Sequence, residues 1–239
     1  MRLWLQILPS NLKRSSLLLG SLLIAIFISF PVFADDEKQG FGVESITVEE
    51  FQSELQTRAG SSVDFPEIRL KGTLRIDPRW RIFLIHYRGS SRLVNGFQAS
   101  VGDFEGRVAY RLDDPKNPQL GDSPFQDVHV WASWDVWTSN TQLNGSNFQE
   151  RDEGGGFGIT RRPRRNGLSY WYTLGIYPSV RTPIGQQDDS LLYEGGGVLN
   201  FNDNLAFTLG YTLRTFRTSR DIRGRAEEQG PSFGLRGRF

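Results

Sequence analysis

Cysteine is absent from the 239 residues, which excludes a disulfide framework, a thiolate metal site and a cysteine nucleophile together. Histidine is scarce: His86 and His129 are the only two, too few and too far apart in the chain for a histidine metal cluster. Neither sign of charge is in excess. Lys+Arg number 28 against 27 Asp+Glu, a net charge of +1, and this balance does not indicate a dedicated nucleic-acid binder. Mean hydropathy is −0.41, which excludes a multi-span helical membrane protein, because each span needs ~20 consecutive apolar residues. Glycine (26) and aromatic residues (13% of the chain) are what the sequence has in quantity.

The one long apolar run is Ser15–Phe30, preceded by Arg2, Lys13 and Arg14 and followed by Pro31, Val32, Phe33 and Ala34 before Asp35 and Asp36. A basic start, an apolar stretch and a small residue at a cleavage position form a secretory signal peptide, expected to end at Ala34. A permanent helical anchor is the competing reading. The run of 16 residues would make only about 24 Å of helix, short of a ~30 Å hydrocarbon core. Removing 34 residues that carry three bases and no acid turns the net charge from +1 to −2.

Residues 35–65 read as an N-terminal lead with one short amphipathic helix. Thr47 and Glu50 form a capping box, and Val48, Phe51 and Leu55 follow at helical spacing, predicting a helix over 48–58 ended by Gly60. From Pro66 onward the period becomes two. Ile68, Leu70, Leu74 and Ile76 alternate with Arg69, Lys71, Thr73 and Arg75, and similar alternation fills 104–112, 128–137, 170–177, 207–214 and 232–239. Weaker runs lie at 80–87, 93–101, 155–161 and 191–201, giving ten strands, or eight if 93–101 belongs to a loop with a neighbour. Phe201-Asn202-Asp203-Asn204-Leu205 is a tight-turn signal between two of them. No linker divides 66–239, so it forms one all-β domain.

Period-two strands suit either a soluble β-protein with an apolar core or a membrane barrel with the polarity reversed. The polar face holds Arg69, Lys71, Arg75, Arg81, Arg107, Arg111, Arg214, Arg236 and Arg238 against Glu105, Asp135 and Glu194, with Gly175, Gly196, Gly210 and Gly234 interleaved. Long arginines beside glycines suit a narrow lumen, and the Tyr, Phe, Leu, Val and Trp of the other face suit a lipid-facing band. The stretches 138–154, 178–190 and 216–229 read as long loops alternating with short ones at 162–168 and 202–204, although 113–126 breaks the alternation.

With its leader, alternating strands and terminal Phe239, the chain resembles the small outer-membrane β-barrel proteins of Gram-negative bacteria over residues 66–239. The resemblance implies an antiparallel up-and-down transmembrane β-barrel of 8–10 strands preceded by a short N-terminal helix, located in the outer membrane. It also implies that Phe233, Leu235 and Phe239 are read by the barrel-assembly machinery, Gly237 leaving one expected apolar slot small. Partners implied are outer-membrane lipid, including lipopolysaccharide, and not nucleic acid.

Catalytic patterns are weak, and no cofactor site is expected. His129, Ser133 and Asp135 share one strand face, but four residues at ~3.3 Å put His129 about 13 Å from Ser133, so they read as members of a lumen network with Glu105, Glu194 and the arginines. His86 with Ser90 or Ser91 is the other pairing, the kind an outer-membrane lipid-modifying enzyme would use. The glycine runs 154–158 and 195–197 lack the following helix that a phosphate cradle needs. Arg161, Arg162, Arg164 and Arg165 fall in an inner turn, and Arg217, Arg220, Arg223 and Arg225 in an external loop within reach of anionic headgroups. The function expected is a non-enzymatic envelope role: structural, surface-binding, or a narrow passage favouring anions because nine bases face three acids. A lipid-modifying enzyme and a soluble periplasmic lipocalin-like binding barrel are the alternatives.

Overall fold

The computed structural model describes residues 41–56, 62–91, 97–113, 126–143, 146–163, 167–181, 187–218 and 226–239. Ten strands occupy them: β1 (Gly42–Gln56), β2 (Ser62–Arg75), β3 (Trp80–Ser90), β4 (Phe97–Arg111), β5 (Val128–Leu143), β6 (Ser146–Arg161), β7 (Leu168–Arg181), β8 (Gln187–Asn200), β9 (Leu205–Thr218) and β10 (Ala226–Arg238). Each pairs antiparallel with its chain neighbours, and β1 pairs with β10, closing the barrel. The expected signal peptide at 1–34 lies outside the described residues.

The expected helix at 48–58 is not formed: residues up to Gln56 belong to β1, and 57–58 lie outside the described residues. Thr47 and Glu50, the capping pair, point to opposite faces, and Val48 and Phe51 do the same. Helix formation would leave the edges of β2 and β10 unpaired, and an open edge cannot be tolerated where no water reaches the backbone. Closure outweighs the local helix signal. The barrel therefore begins at Gly42 rather than at Pro66.

The count of ten holds with a different membership. Residues 97–101 continue into the 104–112 run as a single strand, β4, while β1 supplies the strand thereby lost. The long loop expected at 138–154 is strand up to 143 and from 146, and those expected at 178–190 and 216–229 are strand at 178–181, 187–190, 216–218 and 226–229, their remaining residues lying outside the described ones. Thr, Ser, Asn and Gln dominate 138–149, so no apolar alternation announces strand there. The turn at 201–204 forms as its sequence indicates, Asn202 Oδ1 accepting the backbone N–H groups of Asn204 (2.9 Å) and Leu205 (2.8 Å). Asp77 does the same for Arg79 and Trp80 between β2 and β3.

Side chains face as the period predicts. Leu174, Leu209 and Tyr211 are 40%, 56% and 50% exposed on the outer wall, whereas Arg107 is 5% exposed inside. On β2 the outward run Ile68–Ile76 spans eight residue steps, about 26 Å of strand or about 20 Å of depth at a ~40° tilt, close to the ~25 Å band of a bacterial barrel. Trp80 and Tyr110 meet edge-on at 5.0 Å on this wall, toward the end that carries the chain termini. So much outward apolar surface is incompatible with life in water. The chain is a membrane-spanning β-barrel.

Several glycines make room for what fills the interior. A Cβ at Gly158 would stand 2.5 Å from Trp131 Cζ2 and clash with the Leu174 carbonyl, while at Gly106, on the outer wall, it would meet nothing within 4 Å. Gly158→Ala is therefore expected to destabilise the barrel by about 2 kcal/mol, as overpacking does, and Gly106→Ala to be near neutral. Urea unfolding in detergent micelles measures both.

Candidate functional site: the lumen

All nine residues expected to form a lumen network lie on inward-facing positions. Three clusters and three outlying pairs organise them. In the first cluster, Arg107 forks onto Glu105, Nε to Oε1 and Nη2 to Oε2 at 2.8 Å each, and Tyr177 donates its hydroxyl to the same Glu105 at 2.7 Å. The guanidinium lies 4.4 Å above the Trp131 ring. Forked pairing of this type is the strongest arrangement open to arginine and carboxylate.

Arg69 centres the second cluster. Its Nη1 reaches Glu194 Oε1 (3.2 Å) and Thr212 Oγ1 (3.0 Å), its Nε reaches Glu67 (3.3 Å), and its plane stacks 3.6 Å over Phe51. Lys71 joins Glu49 at 2.9 Å and Glu194 at 3.8 Å. In the third, Arg214 donates to Tyr87 Oη at 2.9 Å and stands within 4 Å of Asp103 and Asp135. The three outlying pairs sit near the terminal end. Arg236 donates to Ser45 Oγ at 3.0 Å, and His129, fully buried, has Nδ1 3.2 Å from the Asp127 carbonyl. Arg111 grips Asp113 in a fork of 2.9 and 2.6 Å.

Asp113 lies beyond the end of β4. Burial opposes its ionisation, but the Arg111 fork and the Asp127 amide outweigh that and hold its carboxyl below the usual carboxylate range. A carboxyl lowered in the folded state stabilises the connection above its ordinary pKa and loses that contribution as pH falls through the lower folded value. Acid titration of the Asp127 amide resonance should show the change below the usual carboxylate range in the native protein and not in Arg111→Gln.

The expected tally of nine bases to three acids is corrected by five inward carboxylates that the sequence reading did not count: Glu44, Glu49, Glu67, Asp103 and Glu228. Glu49 lay in the supposed helix, Asp103 fell between two runs treated as separate, and Glu228 was assigned to a loop. Glu67 stood at the edge of the β2 alternation, in phase with Arg69, and was legible there. Glu44 is brought to Arg81 (2.8 Å) and Arg162 (2.9 Å) by a bulge between Val43 and Ser45 that no pattern in the sequence announces.

Little space is left. A cavity of about 100 Å³ occupies the terminal end of the lumen, lined by Thr47, Thr208, Arg162 and Arg236 among others. Next to it a second space, between Arg69, Arg107, Tyr177 and Arg214, measures about 20 Å³, room for about one water.

The catalytic pairings do not assemble. His86 faces outward, with Nδ1 2.8 Å from the Asp103 carbonyl, and Ser91 is buried. Ser90 lies four residues along the same outer row, too distant to bond His86. Ser133 accepts the Gly156 amide rather than meeting His129. Among the described residues no group of three acids or histidines is placed to hold a metal. Arg164, Arg165, Arg220, Arg223 and Arg225 lie outside the described residues.

Replacing Glu105 by Gln removes the charge that Arg107 and Tyr177 share, and should cost about 3 kcal/mol in urea unfolding. Glu153→Gln, which breaks the exposed Arg151 pair, should change stability by less than about 0.5 kcal/mol.

No family model matches the chain, and no curated protein sequence matches it. Among solved structures it is similar to Neisserial surface protein A (NspA), with 13% identity, a TM-score of 0.44, and coverage of 84% of this chain and 99% of that one. It is also similar to the outer membrane protease OmpT from Escherichia coli (9% identity, TM-score 0.47, 85% and 99% covered). The N-terminal β-barrel domain of Pseudomonas aeruginosa OprF is a third (10%, 0.36, 83% and 100%). At these identities the likeness is one of chain path, and no role passes from one protein to another.

Proposed function

We propose that this barrel is a non-enzymatic outer-membrane protein with a sealed lumen, working at the cell surface through the strands that project past the bilayer. The filled interior carries this reading. Diffusion of a solute would have to displace Arg69, Arg107, Tyr177 and Arg214 from one another, where about 20 Å³ is free. Small barrels are filled by their own side chains, and here those side chains are joined by buried ion pairs. With eight acids now counted on the inner face, the charge excess that favoured a passage for anions is also much reduced.

The surface role rests on strand length. Beyond the last outward apolar residues of β5 and β6, Val136 and Phe157, these strands continue to the connection at 144–145, about 25 Å more of hairpin at ~3.3 Å per residue. Bacterial barrels keep both termini in the periplasm and extend their longer segments outward, so this hairpin stands outside the cell. Phe233 and Leu235 on the outer face of β10, with Phe239 after it, serve as the assembly signal in this reading, and the band contacts outer-membrane lipid.

In planar bilayers the refolded chain should show no steady conductance, and stepwise ohmic currents would sink the sealed-lumen reading. Shortening the β5–β6 hairpin by replacing residues 140–149 with Asn-Gly should leave a heat-modifiable barrel, since the cut lies outside the lipid band. A chain that no longer folds would make the hairpin structural instead.

A further inference from the structure

We propose that the cavity at the terminal end of the lumen is a binding site for a small oxyanion of the phosphate class. Its acids are already engaged: Glu49 and Glu194 pair with Lys71, and the lining Arg107 is held by Glu105. Of the three further lining cations, Arg161 donates to the Tyr170 carbonyl and stacks on the Tyr170 ring, which leaves Arg162 and Arg236. Arg162 shares the single carboxylate of Glu44 with Arg81. Arg236 has no carboxylate within 4 Å among the described residues, and its one hydrogen-bonded partner there is the Ser45 hydroxyl. Arg81, Arg162 and Arg236 thus have one ion-paired carboxylate between them, that of Glu44.

Three donors left over belong to residues that line the same space. Arg162 Nε, Arg236 Nε and Thr208 Oγ1 are buried without a hydrogen-bond partner, and all three residues line the cavity. Thr208 and Arg236 stand on the adjacent strands β9 and β10, and Arg162 lies just past the end of β6. Buried donors and unmatched positive charge are costly unless an acceptor is supplied. A tetrahedral oxyanion supplies several acceptor oxygens and the missing negative charge, and guanidinium forks suit it. A water needs roughly 10–15 Å³, so about 100 Å³ admits an ion of that size. Arg162 and Pro163, just past β6 at the end of the cylinder wall, line the cavity, and the phosphate group it takes can be that of the free ion or of a lipid headgroup. The site does not depend on the surface role proposed above.

The test uses the refolded full-length chain in zwitterionic micelles, with thermal unfolding followed in inorganic phosphate and in chloride at equal ionic strength. Phosphate should raise the midpoint by about 3 °C over chloride. The rise should persist in Arg151→Gln, an exposed arginine, vanish in Arg236→Gln and shrink in Thr208→Val. The last variant changes no charge and carries the comparison if Arg236→Gln does not fold. Equal midpoints in the two salts, or an unchanged rise in Thr208→Val and Arg236→Gln, would overturn the site. A second arm uses zwitterionic vesicles with and without phosphatidylglycerol. Arg236-dependent stabilisation by that lipid, which free phosphate then fails to increase, identifies the headgroup as the source. Stabilisation by free phosphate alone identifies the ion.

Discussion

Every backbone N–H and C=O in a bilayer must be bonded within the protein, and here that requirement is met only when β1 joins both β2 and β10. The rest follows from this closure. An even number of antiparallel strands brings both ends of the cylinder wall to the same side. The seam sets the inward phase of Thr47, Glu49 and Phe51, and so brings Glu49 to Lys71 and Phe51 beneath Arg69. A stretch whose local signals favour helix is drawn into the sheet, because an open cylinder would expose two unsatisfied edges to hydrocarbon.

Closing ten strands leaves an interior too narrow for a wide channel and too polar to be an ordinary core. The charges inside are matched group by group rather than by overall count. Forked and stacked arginines, Arg107 on Glu105 over Trp131 and Arg69 between Glu67, Glu194 and Phe51, replace the water that these ions give up. Glycines on the inner face, Gly158 against Trp131 above all, supply the volume that the aromatic rings occupy. Where the matching lapses, around Arg236 and Arg162, there is also a cavity, and the two features explain each other if an anion completes the set.

Most of the barrel was legible in the sequence because a strand with lipid on one side and charge on the other cannot hide its period. Ile68 to Ile76, Tyr170 to Tyr177 and Phe207 to Leu213 each declare both their conformation and their orientation. The signal fails where that contrast ends. In 138–154 Thr, Ser, Asn and Gln dominate both faces, so the strands of that hairpin look like loop, and in β1 Thr47, Val48, Glu50 and Phe51 satisfy a helical template as well as a strand. The total of ten strands was reached although one member was misplaced, which shows that a count is weaker information than a register.

The alternation of side chains along the chain fixed by itself the class of fold, the inside-out polarity and the inward position of residues such as Arg107, Asp135, Glu194 and Arg214, because these depend only on a residue's parity within its own strand. The partners of those residues depended on register between strands far apart in the chain. Arg69 meeting Glu194 and Thr212, Tyr177 meeting Glu105, and the bulge that turns Glu44 toward Arg81 and Arg162 exist only once the cylinder is closed. Whether the lumen was open, and which of its charges lacked a partner, was therefore decided by tertiary structure, since both are properties of the space that ten walls enclose together.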